Sequence, residues 1–185
     1  MPALASLGNL AISLEPSLTA LHLEHLATVG TIQLTSCDLL LDVDGLSGLT
    51  VIAGNLTIGE SAGLVDLSGV SGVTEVDGDV DISGMSGLSD LTGLGSLESV
   101  HGLWLDDNAA LLTLGGLEGL RTVEGTLTLS DHGAITDVTA LHTVETVTGD
   151  LLIRDNVALS TADADALRDA IGSIGGTTTI SGNAP

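Results

Sequence analysis

The strongest constraint on this chain is a repeated phrase in which apolar residues recur at every third position. Leu88, Leu91, Leu94, Leu97 and Val100 form one copy; Leu111, Leu114, Leu117, Leu120 and Val123 form the next. The same spacing links Leu40, Val43, Leu46, Leu49 and Ile52, then Leu64, Leu67, Val70, Val73 and Val76, and later Ile135, Val138, Leu141, Val144 and Val147. A short alternating segment follows each phrase: Leu56 and Ile58 after Gly54, Val80 and Ile82 after Gly78, Leu127 and Leu129 after Gly125, Leu151 and Ile153 after Gly149, Thr178 and Ile180 after Gly176. Looser versions are Leu10 with Ile12, Ile32 with Leu34, and Leu103 with Leu105. The anchors 10, 32, 56, 80, 103, 127, 151 and 178 stand 22 to 27 residues apart.

Internal repeats of this length signal stacked supersecondary units. The alternating segment predicts a strand with one side facing inward. A spacing of three suits short turns or 3₁₀ corners, with one inward residue at each. One coil cannot bury its own apolar side, but stacked coils align their Leu and Val columns into one core. The expected fold is therefore mainly β: a single parallel β-solenoid of about eight coils over residues 1–185. Between Asn156 and Gly176 the phrase changes. Ser160 and Asp163 resemble a capping box, Ala164, Leu167, Ala170 and Ile171 form a helical stripe, and Gly172 is a plausible stop. A short helix is expected near residues 162–171.

Composition fits this reading. The chain is 43% hydrophobic, with one Trp and no Phe or Tyr, so its core must be layered aliphatic side chains. Its 25 glycines, against 3 prolines, mark recurrent turns. The net charge is −22, from 25 acids, three arginines (Arg121, Arg154, Arg168) and no lysine. Phosphate backbones and anionic membrane surfaces are bound by Lys and Arg, so neither nucleic acid nor membrane is an expected partner. No stretch approaches the roughly 20 apolar residues of a span, so membrane insertion is not expected. Cys37 is alone and forms no internal disulfide. No basic start leads into an apolar run; Met1 is read either as a natural start or as one that follows a removed signal peptide. The acidity fits a salt-adapted source or an acidic secreted surface protein.

Leu103, Leu105 and Asn108, Leu151, Ile153 and Asn156, and Thr178, Ile180 and Asn183 resemble the strand-to-turn signature of leucine-rich repeats. Elsewhere that Asn column holds Cys37, Ser61, Met85 and His132, of which Met85 and His132 depart from the pattern. The Gly-to-strand phrase and the late helix are similar to the receptor L domains of insulin and growth-factor receptors, whose disulfides have no counterpart here. The resemblance covers nearly the whole chain. It implies a leucine-rich-repeat or L-domain solenoid with an extracellular or cell-surface recognition role, and it names no ligand.

With Leu103 and Leu105 inward, Trp104 points out of the strand face, in one column with Ala11, Gln33, Thr57, Asp81, Thr128, Leu152 and Thr179. Trp104, Asp79, Asp81, Asp106, Asp150, Leu152 and Arg154 are the expected recognition patch, since exposed Trp beside exposed Leu marks interfaces and indoles stack on sugars. The competing reading starts from the missing residue between Gly102 and Leu103, which would let Trp104 fold inward or shield a neighbour. Asp77, Asp79 and Asp81 are spaced like a calcium loop, but the sixth position is Ile82 rather than Gly. The turn-like acids Asp42, Asp44, Asp106 and Asp107 read as solvated turns. His22, His25, His101, His132 and His142 lie in different coils without metal spacing, Cys37 reads as a small buried turn residue, and Asn55 stands in a weak glycosylation tripeptide. No nucleophile–base pair, phosphate loop or zinc spacing occurs, so neither catalysis nor a cofactor is expected. The expected partner is a protein or a carbohydrate. The alternative is a structural spacer, or end-to-end self-association through coil ends that carry no clear cap. Thr57, Thr128 and Thr179 hint at a Thr-rich binding face, interrupted by Asp81, Trp104 and Leu152.

Overall fold

A computed structural model describes residues 4–185; the readings that involve Met1 and Pro2 lie outside the described residues. Among the described residues the chain is mainly β with one α-helix, and every strand pairing is parallel. Eight longer strands follow one another across one sheet in chain order: Ser6–Ser13, Thr28–Thr35, Leu56–Gly59, Val80–Ser83, Leu103–Asp106, Leu127–Ser130, Leu151–Arg154 and Thr178–Ser181. Val51–Ile52 and Glu75–Val76 join this sheet through Thr28–Thr35, bringing it to ten strands. A second parallel sheet holds Ser99–Val100, Thr122–Val123, Thr146–Val147 and Ser173–Ile174. The chain thus returns to the same sheet once per repeat.

The register explains the sequence columns. Ile32, Leu56, Val80, Leu103, Leu127 and Leu151 are successive partners, as are Leu34, Ile58, Ile82, Leu105, Leu129 and Ile153. All twelve are essentially solvent-free. The every-third-residue phrase supplies the rest of the core: Leu64, Leu67, Val70, Val73 and Val76 are at most 3% exposed. The corners within these phrases are 3₁₀ turns at Asp44–Leu46, Ser68–Val70, Thr92–Leu94 and Thr139–Thr143. Asp42, Asp66, Asp90 and Asp137 sit two residues ahead of each and accept the backbone N–H of Asp44, Ser68, Thr92 and Thr139. These carboxylates close the turn in place of a backbone carbonyl, so part of the acidity has a structural cause. Gly69 must be glycine, since a Cβ there would stand 2.0 Å from the Val43 carbonyl of the preceding repeat. In the first and last strands the same columns are less covered: Leu10, Ile12 and Ile180 are half-buried and Thr178 is exposed.

The helix spans Thr161–Ala170, one residue earlier than its sequence signals place it. Ser160 Oγ accepts the Asp163 N–H at 3.0 Å, as the capping signal predicts, and donates to the Asp163 carboxylate at 2.6 Å, in place of the return bond from the Ser160 backbone N–H that a full capping box makes. Ala164 and Leu167 are its buried face, packed against Thr139–Thr143 and Thr178–Ser181.

At the strand exits a second ladder runs through buried side chains. The Met85 amide donates to Asn108 Oδ1, the Asn108 amide to His132 Nδ1, the His132 amide to Asn156 Oδ1, and the Asn156 amide to Asn183 Oδ1, all between 3.0 and 3.1 Å. Asn108, Asn156 and Asn183 each also donate to a carbonyl of the preceding repeat, at Ile82, Leu129 and Ile153. Cys37 and Ser61 do a smaller version of the same job, the Cys37 amide donating to Ser61 Oγ. Met85, with no amide or hydroxyl, fills its place by volume and is fully buried. His132 is fully buried too, and its Nε2 lacks a hydrogen-bond partner.

Burial pushes the His132 imidazole below its ordinary value, opposed in part by the charges of Asp106 and Asp107. Only the neutral ring can accept the Asn108 amide at Nδ1, which reinforces the shift. The unfolded chain therefore takes up the proton first as pH falls, and stability declines below about 6.5. His132→Asn keeps an acceptor for the Asn108 amide and removes this component. Urea midpoints of the two proteins should differ by a constant above about pH 7 and diverge in favour of the variant toward about pH 5.5; parallel curves throughout would contradict the assignment.

Candidate functional site

The outward column runs Ala11, Gln33, Thr57, Asp81, Trp104, Thr128, Leu152 and Thr179 as consecutive strand partners, as the sequence predicts. Beside it, on the strand-exit side, stand Ser83, Asp106, Ser130 and Arg154. Trp104 lies on this outer face and not in the core, and it is half-buried. The missing residue accounts for both facts. Val80 pairs with Leu103, which brings Gly102 into the place held by Asp79 one strand earlier. The indole folds back over that glycine, where a Cβ would lie 2.0 Å from Cζ3, 2.3 Å from Cη2 and 2.8 Å from the Asp79 carboxylate. The irregular repeat thus builds a seat for the ring.

Two open depressions flank the indole. One, of about 240 Å³, is lined by Asn55, Thr57, Asp79, Asp81 and Trp104. The other, of about 350 Å³, has Trp104 and Leu152 as apolar walls with Asp81, Asp106, Asp131 and Arg154 around them. Six of the seven residues expected in the patch therefore border these depressions. Asp150 does not: its carboxylate accepts the Thr177 amide at 2.7 Å and the Thr177 hydroxyl at 2.8 Å, which hold its pKa below the usual range and tie it to the next repeat.

Each remaining carboxylate has a local partner. Asp79 accepts from His101 Nδ1 at 2.7 Å. Asp81 accepts the Ser83 hydroxyl, and Asp106 accepts the Ser130 hydroxyl at 2.6 Å. Asp131 was not singled out in the sequence. It follows its strand at the same step as Asp107 and Asp155, and all three adopt left-handed backbone, with φ of 59°, 49° and 57°. Asp tolerates that region better than most residues. Desolvation and the charges of Asp106, Asp155 and Asp107 raise the Asp131 carboxyl above its ordinary value, against the pull of Arg154. Thr128 was likewise only one member of the column. It forms the floor between Trp104 and Leu152, is 4% exposed, and its hydroxyl has no hydrogen-bond partner.

Among the described residues no group of three or more His, Cys, Asp or Glu side chains is placed to hold a metal ion, the Asp77, Asp79 and Asp81 series included. No helix among the described residues is long and apolar enough to cross a membrane. No family model, curated protein or solved structure matches the chain.

Trp104 is the sole tryptophan, so its fluorescence reports on this site alone. Gly102→Ala should displace the ring from its seat, red-shifting the emission and raising its quenching by iodide or acrylamide, with the far-ultraviolet circular dichroism unchanged. Unaltered emission would contradict the placement of the indole over Gly102. Trp104→Ala should cost well under the roughly 3–5 kcal/mol typical of a core Trp.

Proposed function

We propose that this chain is a parallel β-solenoid of about eight coils, of the leucine-rich-repeat or receptor L-domain type, and that it serves as a non-enzymatic recognition module. Its binding surface is the outer face of the long strands, its partner a protein or a glycan, and its setting extracellular or the cell surface. The observation that carries this reading is the seating of the one aromatic residue, Trp104, over Gly102 on that face, between two depressions. An aromatic side chain held partly open to solvent is not needed by an aliphatic core, and Trp is the residue type most enriched at binding hot spots. Leu152 adds a second apolar contact, and Asp79, Asp81, Asp106 and Arg154 provide a polar rim suited to fixing orientation. Reaction chemistry has little support there. Each of Asp79, Asp81 and Asp106 is engaged with a His or Ser neighbour.

The competing reading is self-stacking. Among the described residues the strands Ser6–Ser13 and Thr178–Ser181 each pair on one side only, and such edges template further strands.

A panel of glycans and surface proteins, screened with the wild type and with Trp104→Ala, tests the two. Recognition by the strand face predicts at least one partner whose affinity drops by about tenfold or more in the variant, as expected for an aromatic hot spot. Binding unchanged by the substitution, or none, together with a mass that grows with concentration and salt in light scattering, would transfer the role to self-assembly.

A further inference from the structure

We infer that the strand-face site takes a positively charged side chain, a lysine or arginine presented by a basic segment of a partner protein; this rests on the strand-face reading above. The slot over Thr128 has the required shape. Its walls, Trp104 and Leu152, stand on the strands either side of the one that carries Thr128. Their backbones are two strand spacings apart, about 10 Å, and the depression they border, of about 350 Å³, is large enough for one alkyl stem. An indole face and a leucine suit such a stem, and the ring also attracts the cation at its end.

The polar groups around the slot are mostly acceptors. Ser83 and Ser130 already spend their hydroxyl protons on Asp81 and Asp106. Three carboxylates, Asp81, Asp106 and Asp131, stand against the single guanidinium of Arg154, and Asp79 adds a fourth on the far side of the indole. Desolvation raises the pKa of Asp131, and the charges of Asp106, Asp155 and Asp107 add to the rise, which Arg154 opposes. Beneath them lies Thr128, 4% exposed, whose buried hydroxyl has no partner within the protein, an unmet hydrogen-bonding group at the floor of the slot. A donor-rich cation meets all three conditions. A net charge of −22 steers such a partner toward the protein from a distance.

Diffuse attraction of polycations to an acidic protein must be separated from binding in the slot. The probe is a six-residue oligoarginine peptide, titrated into the whole chain at physiological ionic strength while Trp104 emission and binding heat are followed. Spermine and a neutral glucose hexasaccharide are parallel arms. Asp106→Asn with Asp131→Asn removes two charges at the slot, and Asn keeps the left-handed conformation at residue 131 accessible. Glu98→Gln with Glu124→Gln removes the same charge from exposed positions next to the second sheet. The inference predicts a saturable change in Trp104 emission with oligoarginine, weakened about tenfold or more by the slot pair and less than about twofold by the control pair. Equal weakening by both pairs, or no change in emission, overturns it. A response to spermine equal to that for the peptide overturns the assignment to a protein segment. Hexasaccharide binding that is lost in Trp104→Ala overturns the cation while the strand-face reading stands; peptide binding indifferent to Trp104→Ala overturns both.

Discussion

Everything in this molecule depends on parallel pairing of each long strand with its equivalent one repeat later. Parallel pairing in constant register sets like beside like, so a column in the sequence becomes a row in space. The inward rows of Leu, Ile and Val are dry because of it, from Ile32 through Leu151 and from Leu34 through Ile153. The same register stacks the Asn108, His132, Asn156 and Asn183 side chains, each receiving the amide of the repeat before it. That second ladder satisfies backbone donors where the strands end and the chain turns, a place where unpaired groups would otherwise be buried. The outward row, free of packing demands, is where the chain can vary its chemistry.

Much of this was legible in the sequence because the periodicities are local. Spacing by two gave the strands, spacing by three the 3₁₀ corners, and the Ser160–Asp163 pair the start of the helix. The outward column was legible for the same reason. What the sequence left open was decided between repeats. Whether Trp104 turned in or out depended on which residue would lie next to it after the missing position. The answer is Gly102, displaced by one step into the place of Asp79. Asp150 reads like its neighbours in one dimension, yet its carboxylate is taken by Thr177 across a distance of 27 residues. Thr128 looks like any strand threonine; only its position between Trp104 and Leu152 makes it the buried floor of a slot. His132, a departure from the Asn pattern, still accepts the amide its column requires through Nδ1.

The acidity has two physical origins that composition alone merges. Asp42, Asp66, Asp90 and Asp137 close the 3₁₀ corners, Asp150 accepts the Thr177 amide, and Asp163 accepts the hydroxyl of Ser160, the residue that caps the helix. These charges belong to the architecture. The carboxylates near Trp104 accept only from side chains, Asp79 from His101, Asp81 from Ser83 and Asp106 from Ser130. They define the chemistry of the outer face and not its shape.

The register is the central claim, and it can be measured without a ligand. Gln33 and Thr179 are both exposed, and they are the second and last members of the outward column, six strand steps apart. With buried Cys37 replaced by Ser, spin labels at Gln33→Cys and Thr179→Cys should give one narrow distance distribution centred near about 29 Å, six spacings of about 4.8 Å. A broad distribution, or a centre far from that value, would mean that the repeats do not stack in one register, and the columns described here, Trp104 and its slot included, would not exist.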